Sequence, residues 1–70
     1  MPGYVIEFNR RTRVRRVREF ADHREAMIER LRLEAGRTDS DIEIAALISD
    51  SIKTLEQTHS RYFTGEELPA

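Results

Sequence analysis

The run Tyr4-Val5-Ile6-Glu7-Phe8-Asn9-Arg10-Arg11-Thr12-Arg13-Val14 decides how this 70-residue chain folds. Tyr4 to Phe8 is β-branched and aromatic, with Tyr4, Ile6 and Phe8 on one side, which reads as a strand. Asn9 to Arg13 reads as a hairpin loop. It lacks the Asn-Gly signal of a two-residue turn, but Asn9 tolerates positive φ. Val14 to Phe20 is then the return strand. Pairing Phe8 with Val14 sets Glu7 opposite Arg15 and Val5 opposite Val17, each pair worth roughly 0.2–1 kcal/mol. The same register puts Arg16 and Arg18 on the Ile6 side, an awkward placement that a bulge near Arg15 and Arg16 relieves.

Outward from the hairpin, Asp22-His23-Arg24-Glu25 is a capping box that opens a helix running to about Ala35. Met27, Ile28, Leu31 and Ala35 form an apolar stripe at helical spacing. Gly36 takes the left-handed cap position, and Leu33 falls on the opposite side of the helix, near Ala26. Ile42 to Ile48 reads as a third strand. Ile42, Ile44, Ala46 and Ile48 share one face, and Glu43, Ala45 and Leu47 share the other. Ser49, Asp50 and Ser51 are N-cap residues for a second helix, Ile52 to Phe63, which Gly65 ends.

The expected fold is therefore α+β: a two-layer β-β-α-β-α sandwich with a three-stranded mixed sheet in order 2-1-3. Both helices are expected on one face, over Ile6, Phe8, Ile44 and Ile48. Residues 1–65 make a single small α/β domain, and 66–70 a frayed acidic tail. The uncovered face then shows Val5, Ala45 and Leu47. Together with Leu33 these are the candidate oligomer interface, because a bare, partly apolar sheet face invites a second copy.

Charge is distributed unevenly. Arg10, Arg11, Arg13, Arg15, Arg16 and Arg18 fall within nine residues, so residues 1–20 carry a net +4 once Glu7 and Glu19 are subtracted. The remaining fifty residues carry −5, and the whole chain −1. The six arginines are the candidate surface for a protein partner or for nucleic acid. Guanidinium suits phosphate through bidentate geometry, and six phosphate contacts give a log–log salt slope of about −5 on duplex DNA. Against nucleic acid stand the acidic overall balance and the lack of interleaved aromatics. The alternative for the arginines is a charged edge strand, paired to acids of this chain or of a neighbouring copy, where charge blocks edge-to-edge pairing.

Other chemistry finds little footing. The chain has no cysteine and only His23 and His59, so no structural zinc site, and no metal or cofactor, is implied. His59 with Ser60 and Tyr62 is the densest reactive group, yet neighbouring helix residues point apart, and His59 sits at the margin of an apolar face. Ser49-Asp50-Ser51 places a carboxylate where an anion would bind, which favours plain capping. No run approaches the ~20 apolar residues of a membrane span, and no signal peptide is evident, so the expected setting is the cytoplasm. A chain this small, without disulfides or metal, gains burial by self-association. The expected function is a non-enzymatic interaction module, a homo-oligomer or a binder of an acidic protein surface, with nucleic-acid binding through the arginine ribbon as the alternative.

Overall fold

A computed structural model describes residues 1–68 of the chain. Three strands, β1 (Gly3–Asn9), β2 (Arg15–Phe20) and β3 (Ile42–Ile48), alternate with α1 (His23–Gly36) and α2 (Ile52–Thr58). A 3₁₀ turn, Ser60–Phe63, and a two-residue strand, β4 (Glu67–Leu68), follow. The sheet order is β3-β1-β2-β4, so the three long strands stand in the expected order 2-1-3. The central β1 pairs antiparallel with both β2 and β3, so neighbouring long strands are antiparallel rather than mixed. The parallel pairing among the described residues is that of β2 with β4. Part of the expected frayed tail is thus a strand; Pro69 and Ala70 lie outside the described residues.

The hairpin register differs by one residue from the expected one. Phe8 stands opposite Arg15, Glu7 opposite Arg16, Ile6 opposite Val17 and Val5 opposite Arg18. The loop explains the shift. Asn9 shapes it with its side chain, whose Oδ1 accepts from the N–H groups of Arg11 (2.9 Å) and Thr12 (3.1 Å). Positive φ falls on Arg13, at 63°, and not on Asn9. Asn9 N–H then donates to the Val14 carbonyl at 2.9 Å and closes the loop. A one-residue slip turns every side chain of a strand over. Val17 therefore joins the Ile6 side without any bulge, and Arg16 and Arg18 pass to the other side.

Both faces of β1 are covered, and this corrects the two-layer expectation. On one face Tyr4, Ile6 and Phe8 pack with Leu55 of α2 and Tyr62 of the 3₁₀ turn, flanked by Val17, Ala45, Leu47 and Phe63. On the other, Val5 and Ile44 pack with Ala26 of α1, flanked by Phe20, Leu33, Ile42 and Ala46. The helices lie on opposite faces, with the sheet between them. The physical cause is the continuous apolar run Tyr4-Val5-Ile6: a strand apolar on both sides needs cover on both. Ile6, Leu55 and Val5 are the largest fully buried side chains, each stabilising the fold by roughly 1.5–3 kcal/mol.

α1 starts as the capping box requires, with the Asp22 side chain accepting from Glu25 N–H at 3.0 Å. It ends differently: no glycine has positive φ, and the cap is Arg37 in extended backbone. Its rotation is also reversed. Ala26 and Leu33 face the sheet, whereas Ile28 and Leu31 are each 61% exposed. Gly3 sets this rotation: a Cβ there would come within 2.8 Å of Ala26 Cβ and 2.9 Å of His23 Cα. So close an approach admits only a small helix residue, and Ala26 supplies it. The second helix is broken as well. α2 stops at Thr58, and Tyr62 reaches the core from the 3₁₀ turn instead.

Candidate interaction surfaces

The hairpin arginines are held within the chain. Arg10 Nη2 donates to the Ser40 carbonyl (2.7 Å), and Arg11 pairs with Asp41 at 3.4 Å. Arg13 Nη1 donates to Thr64 Oγ1 at 3.2 Å. Arg15 is the most enclosed of Arg10, Arg11, Arg13, Arg15 and Arg18, with a side chain 11% exposed. Its Nη1 donates to the Gly65 carbonyl (2.7 Å), its Nη2 pairs with Glu67 (3.2 Å), and its guanidinium lies 4.8 Å from the Phe63 ring centre. Arg18 pairs with Glu29 of α1 at 2.6 Å. Arg16 stands opposite Glu7 and is likewise engaged.

These contacts join the basic hairpin to two acidic stretches, Asp39–Asp41 and Glu66–Glu67. Gly65 makes the second junction possible. A Cβ there would fall 1.7 Å from the Arg13 carbonyl oxygen, so the chain crosses the loop backbone at a distance no other residue permits. The Glu66 carbonyl then accepts from Arg15 N–H at 2.9 Å, and β4 begins.

Glu29 and Glu43 anchor the two other charged clusters. Glu29 is held below the usual glutamate range, chiefly by the hydrogen bond from Arg32, aided by the charges of Arg32 and Arg18. Glu43 is also held low, chiefly by the Tyr62 hydroxyl, which donates to it at 2.6 Å, and further by Arg61. Burial, reinforced by Glu43, pushes the Tyr62 phenol up. Arg61 bonds both Glu43 and Tyr62 and stacks 4.5 Å from the Tyr62 ring centre. His59 caps α2, with Thr58 Oγ1 2.9 Å from its Nδ1 and its ring stacked 6.5 Å from that of Tyr62. Glu43, Tyr62 and Arg61 bond one another through part-buried contacts. Among the described residues no group of three or more His, Asp or Glu is placed to hold a metal ion, and no helix is long and apolar enough to cross a membrane.

The oligomer-interface residues do not form one patch. Val5 is 1% exposed beneath α1, and Leu33 packs beside it. Ala45 and Leu47 lie on the opposite face of the sheet, against the α2 side. The exposed large apolar side chains are elsewhere: Ile28 and Leu31 on the outer side of α1, Ile48, 50% exposed, at the end of β3, Met1 at the N-terminus and Ile52 at the start of α2. Sequence periodicity assigns Ile28 and Leu31 to the core. The signal that places them outside is the pairing of the small residues Gly3 and Ala26.

The two edges of the sheet differ. At the β3 edge, Arg10 N–H donates to the Asp41 carbonyl, and Ser49 N–H to the Pro2 carbonyl. Odd-numbered residues of β3 therefore bond to β1, and Ile42, Ile44, Ala46 and Ile48 turn their N–H and C=O groups outward. Those of Ile42 are taken: its N–H donates to the Asp39 carbonyl (3.1 Å), and Arg37 Nη1 donates to its carbonyl (3.0 Å). Among the described residues, β3 pairs with no strand but β1. Compared with protein-family models, curated proteins and solved structures, the chain matches none.

Proposed function

We propose that this chain is a non-enzymatic, self-associating interaction module of the cytoplasm. The observation that carries this is the apolar surface on its outside: Ile28 and Leu31 of α1, and Ile48 beside a strand edge with open backbone groups. A small domain gains stability by burying such surface against another chain. The arginine contacts support a protein partner over nucleic acid. Arg10, Arg13, Arg15 and Arg18 each bond an acceptor within the chain, and phosphate binding would have to displace those bonds. The mutual bonding of Glu43, Tyr62 and Arg61 supports a structural role for the one dense polar cluster.

Light-scattering mass measured across concentration tests the proposal. The expected limit is twice the 8.2 kDa chain mass. A strict monomer at high micromolar concentration overturns self-association. A salt-sensitive mobility shift with duplex or single-stranded nucleic acid, lost on Arg11→Ala and Arg16→Ala, overturns the preference for protein.

A further inference from the structure

We infer that two copies join edge to edge through β3, about a two-fold axis passing beside Ala46, to give one continuous sheet. This rests on the self-association proposed above and adds its geometry. The hydrogen-bonding inventory of the edge selects the register. Three residues, Ile44, Ala46 and Ile48, have outward N–H and C=O groups without a described partner, while those of Ile42 are occupied by Asp39 and Arg37. An axis at Ala46 pairs the open three with one another: Ala46 with Ala46 of the second copy, and Ile44 with Ile48 in both directions. An axis at Ala45 would need the occupied groups of Ile42.

Side chains agree with this register. Directly opposed residues of an antiparallel pair project to the same face. Ile48, half exposed in one chain, would lie against Ile44 of the second copy. Ala45 would meet Leu47, and Glu43 would meet Ser49. The strand Ile42–Ile48 has one charged residue, Glu43, and it never faces its own copy. From Ile44 to Ile48 a second copy of this strand is therefore an apolar, charge-free match.

α1 extends the contact beyond the backbone. The helix packs on β1 and β3 alike, and Glu29 marks its β2 side by pairing with Arg18. Successive helix residues are rotated by about 100°, so the flank overhanging the β3 edge carries Met27, Arg30, Leu31 and Glu34. With strands about 4.8 Å apart, the two α1 helices would stand antiparallel on one face with axes about 10 Å apart. Helices pack at roughly that separation. Leu31 and Met27 of each helix would then be covered by the same residues of the other.

Cysteine crosslinking of the full chain tests the register, since the sequence has no native cysteine. In Ala46→Cys the two thiols face each other across the axis, with Cα atoms about 5.5 Å apart, within disulfide reach. Mild oxidation is expected to yield a covalent dimer faster than in Ile44→Cys, Ile48→Cys or the exposed control Gln57→Cys. Mixing Ile44→Cys with Ile48→Cys is expected to restore fast crosslinking. Ala46→Pro removes an outward N–H and no hydrogen bond of the β1–β3 ladder, and is expected to weaken dimerisation by about 100-fold with an unchanged circular dichroism spectrum. A light-scattering dimer whose Ala46→Cys crosslinks no faster than Gln57→Cys overturns this geometry and leaves self-association standing. A monomer at all concentrations overturns both.

Discussion

The two outer edges of the sheet are built on opposite principles. Four of the six residues of β2 are charged, its first two residues, Arg15 and Arg16, pair with β4, and Arg15 binds that cover in place through Gly65, Glu67 and Phe63. β3 carries one charge in seven residues, is closed at Ile42 alone among the described residues, and leaves Ile48 half exposed. Strand edges invite pairing unless charge or cover prevents it. The contrast teaches where association is blocked and where it is permitted: β2 meeting its own copy would set arginine near arginine, whereas β3 meeting its copy sets isoleucine against isoleucine.

The largest test of this contrast compares prolines at adjacent positions. Ala45 donates its N–H toward β1 and Ala46 donates outward. Ala45→Pro is expected to destabilise the monomer by about 3 kcal/mol or more, seen as loss of cooperative thermal unfolding, while Ala46→Pro keeps the fold. Equal damage from both would break the assignment of the open edge. Next in size is Gly65→Ala. Its Cβ would collide with the Arg13 backbone, and overpacking of this kind costs about 1–3 kcal/mol. The expected result is a lower Tm together with faster hydrogen exchange at Arg15 N–H, which the Glu66 carbonyl covers. Arg15→Lys is a smaller change, since lysine keeps the charge but cannot bond Gly65 and Glu67 through one planar fork. A loss of about 1 kcal/mol is expected in denaturant unfolding, with a greater tendency to aggregate through the uncovered β2 edge.

The smallest effect is acid sensitivity. Glu29 and Glu43 are held below the ordinary value of 4.5 in the folded chain. The unfolded chain therefore takes up protons first as pH falls. Stability from these groups is complete above the ordinary value and is lost as pH drops through their lower folded values. Tm is expected to decline with acidification in that range. Glu43→Gln is expected to lower Tm at neutral pH and to flatten the acid limb; an unchanged acid limb in both Glu29→Gln and Glu43→Gln would contradict their role.

Much of the fold was legible in the chain, and the misplacements share one cause. Strand β3 has the ends its apolar run predicts, Asp22 and Ser51 cap the helices as their residue types predict, and the order 2-1-3 follows from the hairpin and crossover. Helix placement did not follow from periodicity. The stripe Met27-Ile28-Leu31-Ala35 is more apolar than the side that packs, and only the close approach of Gly3 to Ala26 turns the helix the other way. Val5 illustrates the same limit: alternation makes it the exposed partner of Tyr4 and Ile6, but a central strand is covered twice. The arginines were legible as a cluster. Their charged partners Asp41, Glu67 and Glu29 are of the kind the acidic remainder suggests, but the acceptors Ser40, Thr64 and Gly65 are distant in sequence and carry no charge, so nothing in the chain announces them.

Hydrogen exchange followed residue by residue across protein concentration tests the central claim most directly. In one copy the N–H groups of Ile44, Ala46 and Ile48 face outward, while those of Glu43, Ala45 and Leu47 bond to β1. The account predicts that protection at Ile44, Ala46 and Ile48 rises together as concentration rises, with no change at Ala45 or Leu47. Fast exchange at those three sites at every concentration, in a sample that light scattering shows to be dimeric, would contradict it.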